Sequence, residues 1–171
     1  ELRSFLGQYE QPKPSYQESF LLSVPLFHVS GSHVGMLASL RSKRIIILMY
    51  KWDAETGMDL IERERVTVFT AAPAITGDLI QAASKQNRDL SGLLIVGGGV
   101  APRAPAQVHE IGELAENVVP STGWGMTETN AIGTGILGKT YLDHPSSSGQ
   151  CAAVIELRVV DAEGDILGPK S

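Results

Sequence analysis

With 171 residues, 43% of them hydrophobic and 19% charged, the chain has the balance of a globular protein with its own core, which excludes a disordered or fibrous class. A net charge of -5 without any Lys or Arg run excludes a nucleic-acid scaffold, which needs a phosphate-neutralising stripe. The single cysteine, Cys151, excludes an internal disulfide and a Cys-based metal cluster, and no apolar run approaches the length of a transmembrane segment, so the chain reads as cytoplasmic.

Taken in order, residues 1–19 with Pro12 and Pro14 predict the tail of a helix and a surface connection. Phe20 to Phe27 is an apolar strand end broken by Pro25, with His28-Val29-Ser30-Gly31 as its exit loop and a helix over Val34 to Leu40. Arg44 to Tyr50 is nearly all apolar, the pattern of a strand buried on both faces of a parallel sheet. Asp53 is placed to cap a helix marked by Ala54, Met58 and Ile61, and Val66 to Thr70 is a β-branched strand stopped by Pro73.

The pattern then recurs. Ile75, Leu79, Ile80 and Ala83 mark a helix, Leu93 to Val96 a strand, and Gly97-Gly98-Gly99 the turn that leaves it. Ala104, Val108, Ile111 and Ala115 lie on one helical face behind Pro102 and Pro105, and Asn117 to Pro120 is a short strand. Strand and helix alternate about every 25 residues, the βαβ rhythm of an α/β fold: a parallel sheet covered by helices. In such sheets ligands bind where loops leave the carboxyl ends of strands, which brings His28 to Gly31, Gly97 to Pro102 and Ser121 to Glu128 to one edge.

Past Asn130 the rhythm stops. Val154 to Asp161 alternates as a half-exposed strand with Ala162-Glu163-Gly164-Asp165 as its turn, so residues 139–171 are expected to begin a separate antiparallel β subdomain behind a parallel α/β part over 1–138. Glu1 in place of an initiator Met, and Gly168-Pro169-Lys170-Ser171 running on from a turn, point to an internal piece of a longer protein.

Pro120-Ser121-Thr122-Gly123-Trp124-Gly125-Met126-Thr127-Glu128-Thr129-Asn130 combines a ring between two glycines with a hydroxyl beside a carboxylate. A ring stacks a base, Thr127 can donate to a phosphate oxygen and Glu128 is a hard oxygen ligand suited to Mg²⁺. A plain glycine loop with Trp124 in the core is the bland alternative. Gly133 to Thr140 matches the phosphate-loop pattern G-x-x-x-x-G-K-T, which would make the chain a nucleotidase, yet Thr127 to Ile132 is a poor strand and Pro145 cuts off a following helix. Gly97 to Gly99 fails as a dinucleotide fingerprint, because Pro102 stands where the third glycine belongs. His28 is open between packing, base and gate; His33, His109 and His144 have no partners at ligand spacing.

Ser121 to Thr129 closely resembles the Tyr-Gly-Met-Thr-Glu-Thr signature of the adenylate-forming enzymes, which include acyl-CoA synthetases, luciferases and peptide-synthetase adenylation domains. Pro25-Leu26-Phe27-His28 looks like their Pro-Leu-Phe-His motif, and Gly98-Gly99-Val100-Ala101-Pro102 like their Gly-Gly-Ala-Pro adenine loop. The resemblance implies an internal part of the N-terminal domain of an ATP-dependent acid–CoA ligase acting through an acyl-adenylate on a fatty or aryl acid. Its phosphate loop, hinge and C-terminal domain would lie outside these residues, and the piece alone is expected to be inactive. By that resemblance Trp124 replaces the usual Tyr stacking on adenine, and Gly98, Gly99, Val100, Ala101 and Pro102 line the other side of the base. Thr122, Gly123, Gly125 and Met126 shape the nucleotide site, Thr127 binds the α-phosphate, Glu128 the Mg²⁺, and His28 sits beside the carboxylate. ATP or AMP, Mg²⁺, CoA and a carboxylic acid are the implied ligands. A non-catalytic binding module remains the other class.

Overall fold

The computed structural model describes residues 14–86, 88–115 and 117–168; the helix tail expected ahead of Pro12 and the residues Pro169 to Ser171 lie outside them. Seven strands form one sheet: β1 (Ser19–Leu22), β2 (Ile45–Leu48), β3 (Val68–Ala71), β4 (Ile95–Gly98), β5 (Val119–Trp124), β6 (Thr134–Leu137) and β7 (Gln150–Cys151). Their order is β2-β1-β3-β4-β5-β6-β7, parallel through β5 and antiparallel at β6 and β7. The antiparallel strands thus continue the same sheet. The strand expected over Val154 to Asp161 does not form: Val154 to Arg158 pair with no strand among the described residues and stand largely exposed. The chain there makes one antiparallel bridge, Val160 to Ile166, with the Leu167 amide donating to the Val159 carbonyl at 2.8 Å and the Asp161 carboxylate accepting from the Glu163 and Asp165 amides.

Alternation along the strands divides the core. Leu21, Phe69 and Val96 sit side by side in register and face α2 (Ala54–Arg63), α3 (Pro73–Gln86) and α4 (Pro105–Glu113), which bury Met58, Ile61, Leu79 and Ile111 against them. Burial of each of these large side chains contributes about 1.5–3 kcal/mol. Phe20, Leu22 and Val68 face the other way. That side is covered by Ser30–Leu37, which continues as α1 (Ala38–Ser42). Ser30–Leu37 is wound as a π-helix, the Ala38 amide reaching the His33 carbonyl five residues back, and a side chain at Gly35 would press into Leu22.

One expectation needs correction. The Arg44 to Tyr50 run does form a strand, but among the described residues β2 is the sheet's edge, bonded to β1 alone, and Leu48 is 70% exposed. An all-apolar strand does not say whether it is central or terminal, because that depends on strand order rather than on local composition.

Asp53 caps α2 as its position predicted, its carboxylate accepting from the Thr56 amide at 2.9 Å and hydroxyl at 2.7 Å. These bonds, the amide foremost, hold the Asp53 pKa below its ordinary value. A group lowered in the native state contributes stability above its unfolded pKa and loses it as pH falls through the native one. Asp53→Ala is therefore expected to lower the melting temperature at neutral pH, and the gap from the wild type should close on acidification below the ordinary Asp range in a pH series of thermal melts.

Candidate functional site

The carboxyl ends of β3, β4 and β5 carry two matched rows of residues. Thr70, Gly97 and Ser121 pair across the sheet on one face; Ala71, Gly98 and Thr122 pair on the other. A cleft opens beside each face. The first, of about 390 Å³, is lined by Val24, His28, Ser30 and Val34 on one side and by Thr70, Gly98, Gly99, Ser121 and Gly123 on the other. The second, of about 410 Å³, lies between Val100-Ala101-Pro102 and Thr122-Gly123-Trp124, with Arg103, Tyr141 and Ser146 to Ser148 behind. Val100, Gly123, Trp124 and Gly125 line both, so the clefts meet at one seam.

The three segments expected at one edge are therefore brought together there. What the sequence presented as a loop, however, is strand through Trp124: Ser121 and Thr122 pair with β4 on one side, and Ser121 to Trp124 pair with β6 on the other. That double pairing explains the glycines. A Cβ on Gly123 would meet the Thr134 carbonyl oxygen at 2.6 Å, and one on Gly125 would overlap the Ala131 carbonyl, so both are required by the approach of the chain to itself. Trp124 is 47% exposed and lines both clefts, which disposes of the core-ring alternative.

His28 is exposed and borders the first cleft. The Ser30 amide donates to its Nδ1 at 3.2 Å, and the Ser30 hydroxyl is 2.9 Å from the same nitrogen. With Nδ1 accepting, the neutral ring carries its hydrogen on Nε2, so it can offer a donor to an anion in the cleft. His33 differs: Ser32 Oγ donates to the His28 carbonyl at 3.1 Å, which makes the hydroxyl the acceptor for His33 Nδ1 at 2.9 Å, a structural role.

Thr127 and Glu128 form a single 3₁₀ turn, Thr127–Thr129, just past the seam, closed by Asn130 and Ala131 at φ 54 and 66. Both side chains are exposed, and neither lines either cleft. Among the described residues no group of three His, Cys, Asp or Glu side chains is arranged to hold a metal ion. A lone carboxylate at this position suits Mg²⁺ only as that ion is commonly held, by one or two carboxylates together with substrate phosphates and water.

The phosphate-loop pattern is settled by its backbone. Thr134–Leu137, where the loop should be, is β6, and the helix after it, α5 (Gly138–Asp143), has six residues. Lys139 is turned to Asp143, with Nζ–O distances of 2.8 and 2.9 Å. Nothing there cradles a phosphate. Sequence reasoning in turn missed Arg103, Tyr141 and Ser146 to Ser148 as walls of the second cleft. The only local signal for them was the run of small hydroxyl residues after Pro145, since Arg103 reads as an ordinary first-turn residue of a helix.

A family model described as "AMP-binding enzyme" matches residues 2–171. Among curated proteins, 4-coumarate-CoA ligase 1 of Narcissus pseudonarcissus is 29% identical over 159 residues, covering 90% of this chain and 29% of the relative. 4-Coumarate–CoA ligase 3 of Arabidopsis thaliana is 32% identical over 146 residues, covering 84% and 26%. The chain thus spans under a third of the curated relatives it matches. Among solved structures, the N-terminal domain of FACL13 from Mycobacterium tuberculosis superposes with a TM-score of 0.79 at 25% identity, covering 96% of this chain and 41% of that one. O-succinylbenzoate CoA synthetase of Bacillus subtilis, solved with ATP and magnesium ion, shares the fold at 20% identity and a TM-score of 0.78, covering 99% and 34%.

Proposed function

Since the chain belongs to the AMP-binding enzyme family, we propose that it forms the nucleotide- and acid-binding seam of an ATP-dependent carboxylate–CoA ligase that works through an acyl-adenylate. The observation that carries this is the pair of clefts meeting at Val100, Gly123, Trp124 and Gly125. Adenine lies in the second cleft, one face on Trp124 and the other against Val100 to Pro102, with Gly98 and Gly99 leading into that wall from the first cleft. The acyl group lies in the first cleft beside His28, so the carboxylate and the α-phosphate meet at the shared wall. A planar aromatic acid or a fatty chain both suit a cleft walled by Val24, Val34, Ala71 and glycine.

In the complete enzyme a carboxylate oxygen forms a bond to the α-phosphorus as the bond to pyrophosphate breaks. The CoA sulfur then bonds to the acyl carbon, AMP departs, and the thiol proton is released. Both partners of the first step are anions, so orientation and charge stabilisation carry the catalysis. Here the His28 Nε2–H would orient the carboxylate, and the Thr127 hydroxyl would donate to an α-phosphate oxygen. Glu128 would hold a magnesium ion, which would supply positive charge to offset that of the phosphates.

Titration of AMP into the protein, followed by indole fluorescence and calorimetry, tests the placement of the base. Loss of a base-stacking ring costs about 1–3 kcal/mol, so Trp124→Ala is expected to weaken binding about five- to a hundredfold while Lys139→Ala leaves it unchanged. The reverse pattern would return the nucleotide to Gly133 to Thr140, and no binding by the wild type would favour a module without a nucleotide.

A further inference from the structure

We propose that Arg103 is a positioning residue that holds the Gly97 to Val100 turn, which walls the first cleft and meets the second at Val100, in the shape that receives the nucleotide; the nucleotide half of this rests on the function proposed above. Arg103 is only 6% exposed, and among the described residues no carboxylate pairs with it. A guanidinium so placed is tolerated only if neutral acceptors are arranged around its planar fork. Two are: Nη2 donates to the Gly97 carbonyl at 3.2 Å and Nη1 donates to Gln107 Oε1 at 3.3 Å, with Tyr141 alongside, while Nε is buried without an acceptor among the described residues. Burial lowers the pKa of Arg103, and Tyr141 opposes that shift.

The network reaches further than the turn. Gln107 Nε2 donates to the Pro73 carbonyl at 2.9 Å, so Arg103 links the end of β4 to α4, the first turn of α3 and α5. Its guanidinium also packs on Gly98, where a Cβ would overlap Nη2, so a side chain at that position would have to displace Arg103. Two residues on, Val100 has φ 73, a left-handed conformation that a β-branched residue holds only where its surroundings dictate it. Gly98, Gly99 and Val100 are the residues that face the first cleft, and Val100 is shared with the second. A lysine keeps the charge but cannot reach the Gly97 carbonyl and Gln107 Oε1 together from one planar fork.

Amide hydrogen exchange on the ligand-free protein reads the turn directly. Arg103→Lys and Arg103→Met are expected to speed exchange at Gly99, Val100 and Ala101 about tenfold or more, while amides of Phe69 and Leu79 stay at wild-type rates. The AMP dissociation constant should rise about tenfold in both variants. Gly98→Ala should also speed turn exchange in the wild type, and add little in an Arg103→Ala background, where the obstruction is gone. Unchanged turn exchange, rescue by lysine, or acceleration spread evenly over the core would each overturn the positioning role. A loosened turn with unchanged AMP affinity would overturn its link to the nucleotide. Should the Arg103 variants fail to fold, Tyr141→Phe and Gln107→Leu each remove one partner, and faster exchange confined to the turn is the expected result. Failure of the wild type to bind AMP would defeat the function proposed above, and the exchange rates would still decide Arg103.

Discussion

Glu128→Ala in the complete enzyme is expected to lower acid-dependent ATP–pyrophosphate exchange about a hundred- to a thousandfold, the usual cost of losing one group aimed at developing charge. The position of Glu128 makes this a clean experiment. Its carboxylate is exposed on the Thr127–Thr129 turn and bonds to no other side chain among the described residues, so its removal leaves no buried group unsatisfied. The melting temperature should stay at the wild-type value. Exchange at the wild-type rate in a folded Glu128→Ala protein would remove the metal-binding assignment, and a drop in melting temperature would show that Glu128 supports the fold.

The second large effect is on stability. Phe69 is fully buried on β3, packs on Trp52 with ring centroids 5.3 Å apart at 25°, and lies at the centre of the cluster that joins the sheet to α2, α3 and α4. Phe69→Ala leaves a ring-sized cavity in a place where the sheet cannot close over it, and is expected to cost about 3–5 kcal/mol. Against a total stability of about 5–15 kcal/mol, that is a large fraction, so denaturant unfolding should show a midpoint displaced far below the wild type. A shift equivalent to under about 1 kcal/mol would mean the core is not organised around β3.

The parallel sheet and its helices were legible because each element carried its own period: Met58 and Ile61, or Val108 and Ile111, at helical spacing, and β-branched runs between them. Strand order was not legible, and so β2, apolar throughout, read as buried on both faces when among the described residues it forms the edge. At the seam, the glycines and Trp124 announced a site, while the reason for Gly123 and Gly125 lay in β6 and Ala131, contacts that local sequence cannot report. Arg103 was illegible for the same cause. Its burial arises from Tyr141 and Gln107 closing around it, and a charged residue after a proline otherwise predicts a solvated helix start.

The most direct measurement is the structure of the protein crystallised or soaked with AMP. The account predicts a purine ring in the second cleft, stacked on Trp124 with its other face against Val100 to Pro102, and the α-phosphate directed toward Thr127. A nucleotide seated along Gly133 to Thr140, or with its base in the His28 cleft, would contradict it.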